Sequence, residues 1–223
     1  MAPVITTAKR PASRGPGRPP HAVGVLLAER ILDAAQELFL RQGYEATTVD
    51  GIASRIGATK RTIYVRFDDK ARLFRAVVAR VLRTRRPRLN AIGPDRTLEE
   101  RLTDIGTAVL RYILDPTVVS VTRVVAAEAY RFPELSQMIE EQAAQGLIPA
   151  LEHMLREEAE LGRIELPDVA LAARLLLSLL TGQPEKNTLR EARPFGHTDR
   201  QHWIAGAVSL FLDGVRSRSI GHC

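Results

Sequence analysis

The chain has 223 residues, of which 45% are hydrophobic and 26% are charged, and its formal net charge is +6. This length allows one large domain or two small ones, and the composition excludes a protein that is disordered throughout. No apolar run is long enough to span a bilayer, so a membrane protein is not expected. The N-terminal region lacks the apolar segment of a secretory signal, and the single cysteine, Cys223, cannot form an internal disulfide. We therefore expect a cytoplasmic protein with no membrane partner.

The charge is distributed unevenly along the chain. Residues 1–90 contain 18 Lys and Arg against 7 Asp and Glu, which is a net charge of +11. Residues 91–223 contain 14 against 19, which is a net charge of −5. A basic half joined to an acidic half predicts a nucleic-acid-binding part followed by a part with another task. A chance excess of cations on a solvated surface is the alternative.

Residues 1–23 are rich in Pro, Gly, Ser, Thr and cations, and this composition predicts a disordered basic arm. Within the arm, Arg14 and Arg18 belong to an Arg-Gly-Pro-Gly-Arg-Pro-Pro segment that resembles the Gly-Arg-Pro core of an AT-hook. An extended arm of this kind fits the narrow, electronegative minor groove of A·T-rich DNA. A flexible tail that contacts phosphates without sequence preference is the favoured alternative.

The stretch from Thr47 to Phe74 predicts two short helices joined by a sharp turn, and then the start of a third helix. Thr47 can cap the first short helix, with Asp50 as its partner in a capping box. Gly57 follows the last apolar residue of that helix, where a left-handed residue is often needed, and Thr59 can cap the second helix. This is the helix-turn-helix arrangement, whose second helix can enter the DNA major groove.

Two longer helices flank this motif. An apolar stripe from Leu26 to about Arg41 predicts a first helix that ends at Gly43 and braces the motif. Asp69 can cap a further helix, which ends before Pro87. Residues 24–90 are therefore predicted to form a helix-turn-helix DNA-binding domain together with its connecting helix.

The same stretch contains the pattern T-T-V-x-x-I-A-x-x-x-G, followed by T-K-x-T-I-Y-x-x-F-x-x-K-x-x-L-F. This pattern resembles the DNA-binding domain of the TetR family of transcriptional regulators. Family members often have Gly at the position of Arg61 and His at that of Arg66, so the operator sequence is not implied. The resemblance and the position of the second helix predict these DNA-contacting residues: Thr47, Thr48, Thr59, Lys60, Arg61, Thr62, Tyr64, Arg66 and Lys70. Arg14 and Arg18 of the arm complete the predicted set.

Residues 91–223 predict a larger helical domain and no convincing strand. The predicted helices are 98–114, 117–130, 134–161, 167–180 and 199–216, with Asp95 or Thr97 as the first cap and a loop over 182–196. The second of these is rich in valine and would suit a strand, but its length favours a buried helix. Residues 127–135, A-E-A-Y-R-F-P-E-L, resemble the C-terminal half of the AefR-like branch of TetR regulators. The predicted fold is all-α.

Two helices near the end of the chain predict a dimer. Residues 169–180 are apolar nearly all round, and such a helix must be covered on every side. Together with the apolar stripe of the last helix, it can form a four-helix bundle across a two-fold axis, as TetR-like proteins do. The alternative is a monomer whose own core needs both faces. The predicted interface consists of Leu171, Leu175, Leu179, Ile204, Val208, Phe211, Leu212 and Val215.

No catalytic constellation is recognised in the sequence. It contains no Gly-rich phosphate loop and no G-x-S-x-G motif. His197 and His202 are five residues apart, which is the wrong spacing for one helix face, and no cysteine or third histidine is near them. We therefore expect no enzyme activity, no metal and no cofactor.

These observations predict a homodimeric repressor that binds a palindromic operator in double-stranded DNA. By resemblance to the family, an unidentified small-molecule effector would bind in a pocket, also unidentified, among the middle helices. It would shift the fourth helix and weaken DNA binding. One alternative is an architectural protein that bends A·T-rich DNA and senses nothing. Another is a helical enzyme or lipid carrier whose basic half is incidental.

Overall fold

The computed structural model describes residues 20–85, 87, 96–189 and 195–215, and almost all of them lie in helices. The helices are α1 (Pro20–Ala46), α2 (Val49–Ile56), α3 (Lys60–Phe67), α4 (Lys70–Arg85), α5 (Leu98–Ile113), α6 (Pro116–Ala127), α7 (Pro133–Glu160), α8 (Val169–Leu189) and α9 (His197–Val215). The predicted all-α fold is confirmed. Within the described ranges, no helix is both long enough and apolar enough to cross a membrane.

Helices α1 to α4 enclose an apolar core in the N-terminal half. The rings of Phe39 and Phe74 are at most 1% exposed, and burying such a side chain contributes about 1.5–3 kcal/mol. On the rim of this core, the Arg80 guanidinium of α4 lies 3.1 Å from Glu29 and 2.8 Å from Asp33, both on α1. Helices α1 and α4 therefore form a firm support for the two short helices between them.

This N-terminal core extends into the C-terminal half of the chain. Its members include Val118, Val121 and Val125 of α6, together with Phe132 and Leu135 at the start of α7. A second core is formed by α5, the later part of α7, α8 and α9. Apolar residues from both sides of the predicted domain boundary between residues 90 and 91 therefore pack in one core. The boundary divides the sequence but not this core.

The helices of the C-terminal half begin and end at recognisable signals. Thr97, one of the two predicted caps, forms a capping box with Glu100 at the start of α5. Asp115, which was not predicted as a cap, caps α6, and α6 is a helix despite its valines. Gly162, after α7, has a φ of 69°. A Cβ on Gly106 of α5 would lie 2.9 Å from Ile204 Cγ2, so an alanine at this position would require a side chain of α9 to shift.

Two predicted boundaries are wrong. Helix α1 begins at Pro20, so residues 20–23 are helical and do not belong to a disordered arm. Proline fits the first position of a helix, where its missing N–H has no partner to lose. Helix α8 continues through Pro184 to Leu189, although a loop was expected from residue 182. Pro184 lies inside this helix and is buried, although a proline there removes one backbone hydrogen bond. Residues 1–19, with Arg14 and Arg18, lie outside the described part of the chain.

Candidate DNA-binding site

Helices α2 and α3 are joined by a three-residue turn, residues 57–59. Gly57 has φ 65° and ψ 34°, a left-handed conformation that glycine adopts without steric cost. The Ala58 N–H donates to the Ala53 carbonyl at 3.0 Å, which closes the end of α2. Thr59 caps α3 by accepting a hydrogen bond from the Thr62 N–H at 3.2 Å. The helix-turn-helix predicted from the sequence is therefore present.

The cap of α2 differs from the prediction. Thr48 caps the helix, accepting from the Gly51 N–H at 3.0 Å. Thr47 is fully buried and donates its hydroxyl to the Gly43 carbonyl at 2.7 Å, so the prediction that it caps α2 and contacts DNA is wrong. Two consecutive threonines fit the cap pattern equally well in sequence, and only the fold shows which one begins the helix. Gly43, with φ 81°, interrupts α1 at the predicted position.

Helix α3 presents a mixed face to the exterior. Its exposed side chains are Lys60, Arg61, Tyr64, Val65 and Arg66. Ile63, on the opposite face, is buried in the core, whereas Tyr64 is 37% exposed and Val65 is 73% exposed. Thr59 is exposed and Thr62 is half-buried, with their hydroxyl oxygens 2.9 Å apart. Such a face offers cations for phosphates and guanines, and an apolar group for a thymine methyl.

Val65 is the exposed member of this face that the sequence reasoning missed. Ile63 and Phe67 are four residues apart and define the inward stripe of α3, and Val65 lies between them on another side. Its position off that stripe is the signal that could have identified it. Among the described residues of this face, Val65 is the only aliphatic side chain, and it could contact an apolar group of a partner.

Lys60 is oriented across the two helices of the motif. Its Nζ lies 2.9 Å from Asp50 on α2 and 5.9 Å from the centre of the Tyr64 ring. The hydrogen bond to Asp50 raises the pKa of Lys60, so the ammonium stays charged at neutral pH. Because this pair is about half exposed, it is weak and can be exchanged for a contact with DNA.

Two more of the predicted cations, Arg66 of α3 and Lys70 of α4, have different surroundings. The guanidinium of Arg66 lies near the start of α1, since a Cβ on Gly24 would be 3.7 Å from its Nη2. The Nζ of Lys70 donates to the Glu45 carbonyl at 3.3 Å and lies 4.2 Å from the centre of the Tyr44 ring. Burial of Lys70 lowers the pKa of its ammonium. Lys70 is therefore half-buried at the edge of the helix-turn-helix.

Contacts from α1 hold the motif in place. Arg30 donates to the Ile56 carbonyl at the end of α2 at 2.7 Å, and Arg55 of α2 pairs with Glu37 of α1. The hydrogen bond from Arg30 satisfies one of the carbonyls that a helix end leaves without a partner. The bracing role predicted for the first helix is therefore supported by these contacts between α1 and α2.

The predicted dimer residues fall into two groups. Leu171, Leu175 and Leu179 of α8 are 51%, 53% and 36% exposed and lie four residues apart on one face. In contrast, the prediction is wrong for Ile204, Val208, Phe211 and Leu212 of α9, which are at most 7% exposed inside the second core. An apolar stripe on a last helix first covers the chain's own core. Val215 is half-buried at the end of α9, and its carbonyl accepts the Glu165 N–H at 2.8 Å.

A cleft of about 300 Å³ lies where the end of α4 meets α5. Its lining consists of Arg85, Pro87, Ala108, Arg111, Tyr112 and Asp115. Across it, the Arg85 guanidinium lies 2.8 Å from the Asp115 carboxylate, which ties α4 to the start of α6. Among the residues that the structure describes, no group of three or more His, Cys, Asp or Glu is placed to hold a metal ion.

Two family profiles match the chain. Residues 31–77 match the profile described as bacterial regulatory proteins, tetR family, and residues 100–214 match AefR-like transcriptional repressor, C-terminal domain. The second match alone covers more than half of the chain. The chain therefore belongs to the TetR family. Both resemblances noted in the sequence are confirmed, and the class of protein is a DNA-binding transcriptional regulator.

Curated TetR-family relatives match mainly over the DNA-binding motif. The transcriptional repressor ComR of Escherichia coli is 43% identical over 51 residues, which is 23% of this chain and 24% of the relative. The uncharacterised regulator YvkB of Bacillus subtilis is 35% identical over 82 residues, which is 37% of this chain and 42% of the relative. The chain thus spans less than half the length of these curated relatives.

Solved structures of regulators, one of them described as a TetR-family regulator, match over most of the chain. A transcriptional regulator from Mesorhizobium loti superposes with a TM-score of 0.75 at 22% identity, covering 87% of this chain and 98% of the other. The flavonoid-responsive regulator FrrA superposes with a TM-score of 0.69 at 27% identity, covering 86% and 98%. The fold of both halves is therefore that of solved TetR-family regulators.

Proposed function

We propose that the protein is a homodimeric repressor that binds a palindromic operator in double-stranded DNA and is released from it by a small molecule. The observation that carries the proposal is the outer face of α3, where three cations surround Tyr64 and Val65. A helix with this combination can bind phosphates and also distinguish base edges in the major groove.

The proposed contacts with DNA come from two helices and the turn between them. Base contacts are assigned to Arg61, Tyr64 and Val65, which are exposed on α3. Phosphate contacts are assigned to Thr48, Thr59, Lys60, Arg66 and Lys70, which surround that face. Thr62 is half-buried and supports the cap of α3, and Arg14 and Arg18 remain proposed contacts of the arm.

The proposed dimer uses the outer face of α8. Leu171, Leu175 and Leu179 form an exposed apolar row, and Leu210 of α9 is 65% exposed. Contiguous apolar surface of this kind is typical of a site that binds another protein. Pairing α8 and α9 with their copies would give a four-helix bundle and set two α3 helices at one operator.

Release by a small molecule is supported by the cleft at the end of α4 and by one relative. The cleft volume of about 300 Å³ is at the lower end of the range for ligand pockets. A ligand there that displaced Asp115 from Arg85 would free the end of α4 from α6. FrrA is described as flavonoid-responsive, which supports testing flat aromatic compounds first.

Selection of bound duplexes from a random pool of DNA tests the proposal. Purified protein should select a palindrome with half-sites about 10 base pairs apart, or a multiple of this distance. The selected duplex is then titrated with and without flavonoids, while sedimentation measures the mass of the complex. A selection that returns no shared sequence would overturn the proposal, as would a monomer bound to a single half-site.

A further inference from the structure

The turn between α6 and α7 packs against the end of α1, on the DNA-binding half. The ring of Phe132 is 5.0 Å from that of Tyr44 and 6.0 Å from that of Phe74, centre to centre. Phe132 is only 5% exposed. Two residues further on, Glu134 lies 2.9 Å from Arg75 of α4. The C-terminal half therefore reaches the DNA-binding half through this turn as well as through the chain that follows α4.

Arg131, next to Phe132, contacts the last residues of α1. Its guanidinium pairs with the Glu45 carboxylate, and its Cζ lies 5.2 Å from the centre of the Tyr44 ring. Lys70, at the start of α4, contacts the same two residues through the Glu45 carbonyl and the Tyr44 ring. Tyr44 and Glu45 are thus held between a cation from the C-terminal half and a cation of the helix-turn-helix.

We infer that Arg131 is a positioning residue for DNA binding, which acts from the C-terminal half by fixing Tyr44 and Glu45 and, through them, Lys70. The inference rests on the proposed function, in which Lys70 binds a DNA phosphate. A lysine side chain is long and flexible, so the place of its ammonium depends on the groups that it contacts. Both of its contacts here are also contacts of Arg131 or of the adjoining Phe132.

The Arg131–Glu45 pair is a suitable target because its loss is expected to have little effect on the stability of the fold. The two side chains are 54% and 68% exposed, and ion pairs this exposed add little to stability. The negative charge of Glu45 also makes it possible to distinguish positioning of Lys70 from electrostatic attraction between the protein and DNA. Glu45→Gln removes a negative charge near the proposed DNA surface, so attraction alone predicts tighter binding, whereas loss of positioning predicts weaker binding.

The test titrates a duplex that the wild-type protein has selected, using the full chain at a fixed salt concentration. We expect Arg131→Gln and Glu45→Gln each to weaken binding by about threefold to tenfold, as is typical of coupled neighbours. In the Lys70→Gln background, Arg131→Gln should have almost no further effect, because it acts through Lys70. Arg131→Lys, which keeps the pair, should bind within about twofold of the wild type.

Matched controls separate this role from charge and from folding. Arg156→Gln removes one cation from an exposed site about six helical turns along α7 and should bind like the wild type. Thermal unfolding and sedimentation should show each variant folded and in the wild-type assembly. If a single variant unfolds, the exchanged pair Glu45→Arg with Arg131→Glu should restore both the fold and the affinity.

Several outcomes would overturn the inference while leaving the proposed function standing. These are tighter binding by Glu45→Gln, unchanged binding by Arg131→Gln, and failure of the exchanged pair to restore affinity. Losses that multiply in the Arg131→Gln and Lys70→Gln double variant would show instead that Arg131 itself touches DNA. Failure of the wild-type protein to select any duplex would overturn the proposed function as well.

Discussion

At the residue scale, the exposed face of α3 combines groups that bind any DNA with groups that distinguish sequences. We expect Tyr64→Ala to remove most of the preference for the operator while the fold and the assembly stay intact. Lys60→Ala, which loses a phosphate contact, should instead weaken binding to the operator and to unrelated DNA about equally. A base contact is worth roughly 1–3 kcal/mol, and two copies would act in a dimer. Competition titrations against unrelated DNA measure this loss. Lys186→Ala, at an exposed lysine of α8, is the matched control and should keep the preference.

Val65 makes a more specific prediction, because its side chain is 73% exposed and apolar. If it contacts a thymine methyl, Val65→Ala should relax the selection at one base pair in each half-site and leave the other positions unchanged. The cost should be about 1 kcal/mol per half-site, the lower end for a base contact. Selection from a random pool, followed by sequencing, measures it. An unchanged base preference would show that Val65 does not read DNA, and Leu161→Ala controls for loss of an exposed apolar group.

The partly buried carboxyl of Glu185 in α8 should make the stability of the folded protein depend on pH. Burial raises the pKa of its carboxyl above the usual 4.5, so the charged form is disfavoured in the folded protein. At neutral pH the charged, partly buried carboxylate of Glu185 therefore destabilises the folded protein. Below pH 4.5 this carboxyl is protonated in both the folded and the unfolded protein, so the destabilisation disappears. Glu185→Gln should raise Tm at pH 7, with a gain that shrinks as the pH falls towards 4.5. An equal change in Tm at both pH values would contradict this explanation.

At the scale of single elements, α8 and α9 show how far a sequence pattern can predict a surface. The apolar rows on both helices were visible in the sequence, but the rows alone do not show which one faces the chain's own core. Ile204 and Phe211 are buried in the second core, which α9 forms together with α5, α7 and α8, whereas Leu175 is left exposed. The same limit explains why the sequence could not show which threonine caps α2. Thr47 and Thr48 both fit the cap pattern, and only the packing of Thr47 against the end of α1 distinguishes them.

The two helices give a matched pair of substitutions. Leu175→Glu places a carboxylate on a side chain that is 53% exposed, so the monomer should remain folded while the dimer dissociates. Phe211→Glu buries a carboxylate at a site that is 7% exposed, which costs several kcal/mol and should unfold the second core. Operator binding should fall in both cases. Sedimentation and circular dichroism on the same samples separate the two causes. A dimeric Leu175→Glu variant would place the two-fold surface elsewhere.

The helix-turn-helix was predictable for a different reason, since its signals are local. Gly57, Thr59 and Asp69 act within a few residues of their own positions, and each has the expected role. In contrast, the packing of α6 and Phe132 against α1 and α4 joins residues that are far apart in sequence. No periodicity within one segment could predict that contact, although the resemblance of residues 127–135 to AefR-like regulators marked the segment.

At the scale of the whole molecule, the positive charge is concentrated in the part of the chain that contains the helix-turn-helix. Residues 1–90 have a net charge of +11, and Lys9, Arg10, Arg14 and Arg18 precede the first described residue. Helix α1 begins at Pro20, and Gly24 lies beside the Arg66 guanidinium of α3. The first described turn of α1 therefore lies next to the helix that is proposed to read the operator, and we expect the cations that precede it in the sequence to contact neighbouring phosphates.

Removing residues 1–19 should therefore weaken DNA binding without changing which operator is selected. Each phosphate contact releases counterions and contributes about 0.9 to the slope of log affinity against log salt. Loss of four cations should make that slope shallower by up to about 3–4 units per arm. The truncation leaves all of α1 in place, so Tm should not change. An unchanged slope would mean that the arm does not touch DNA. A lost preference for A·T-rich flanking sequence would instead favour the minor-groove interpretation of Arg14 and Arg18, because phosphate contacts alone carry no sequence information.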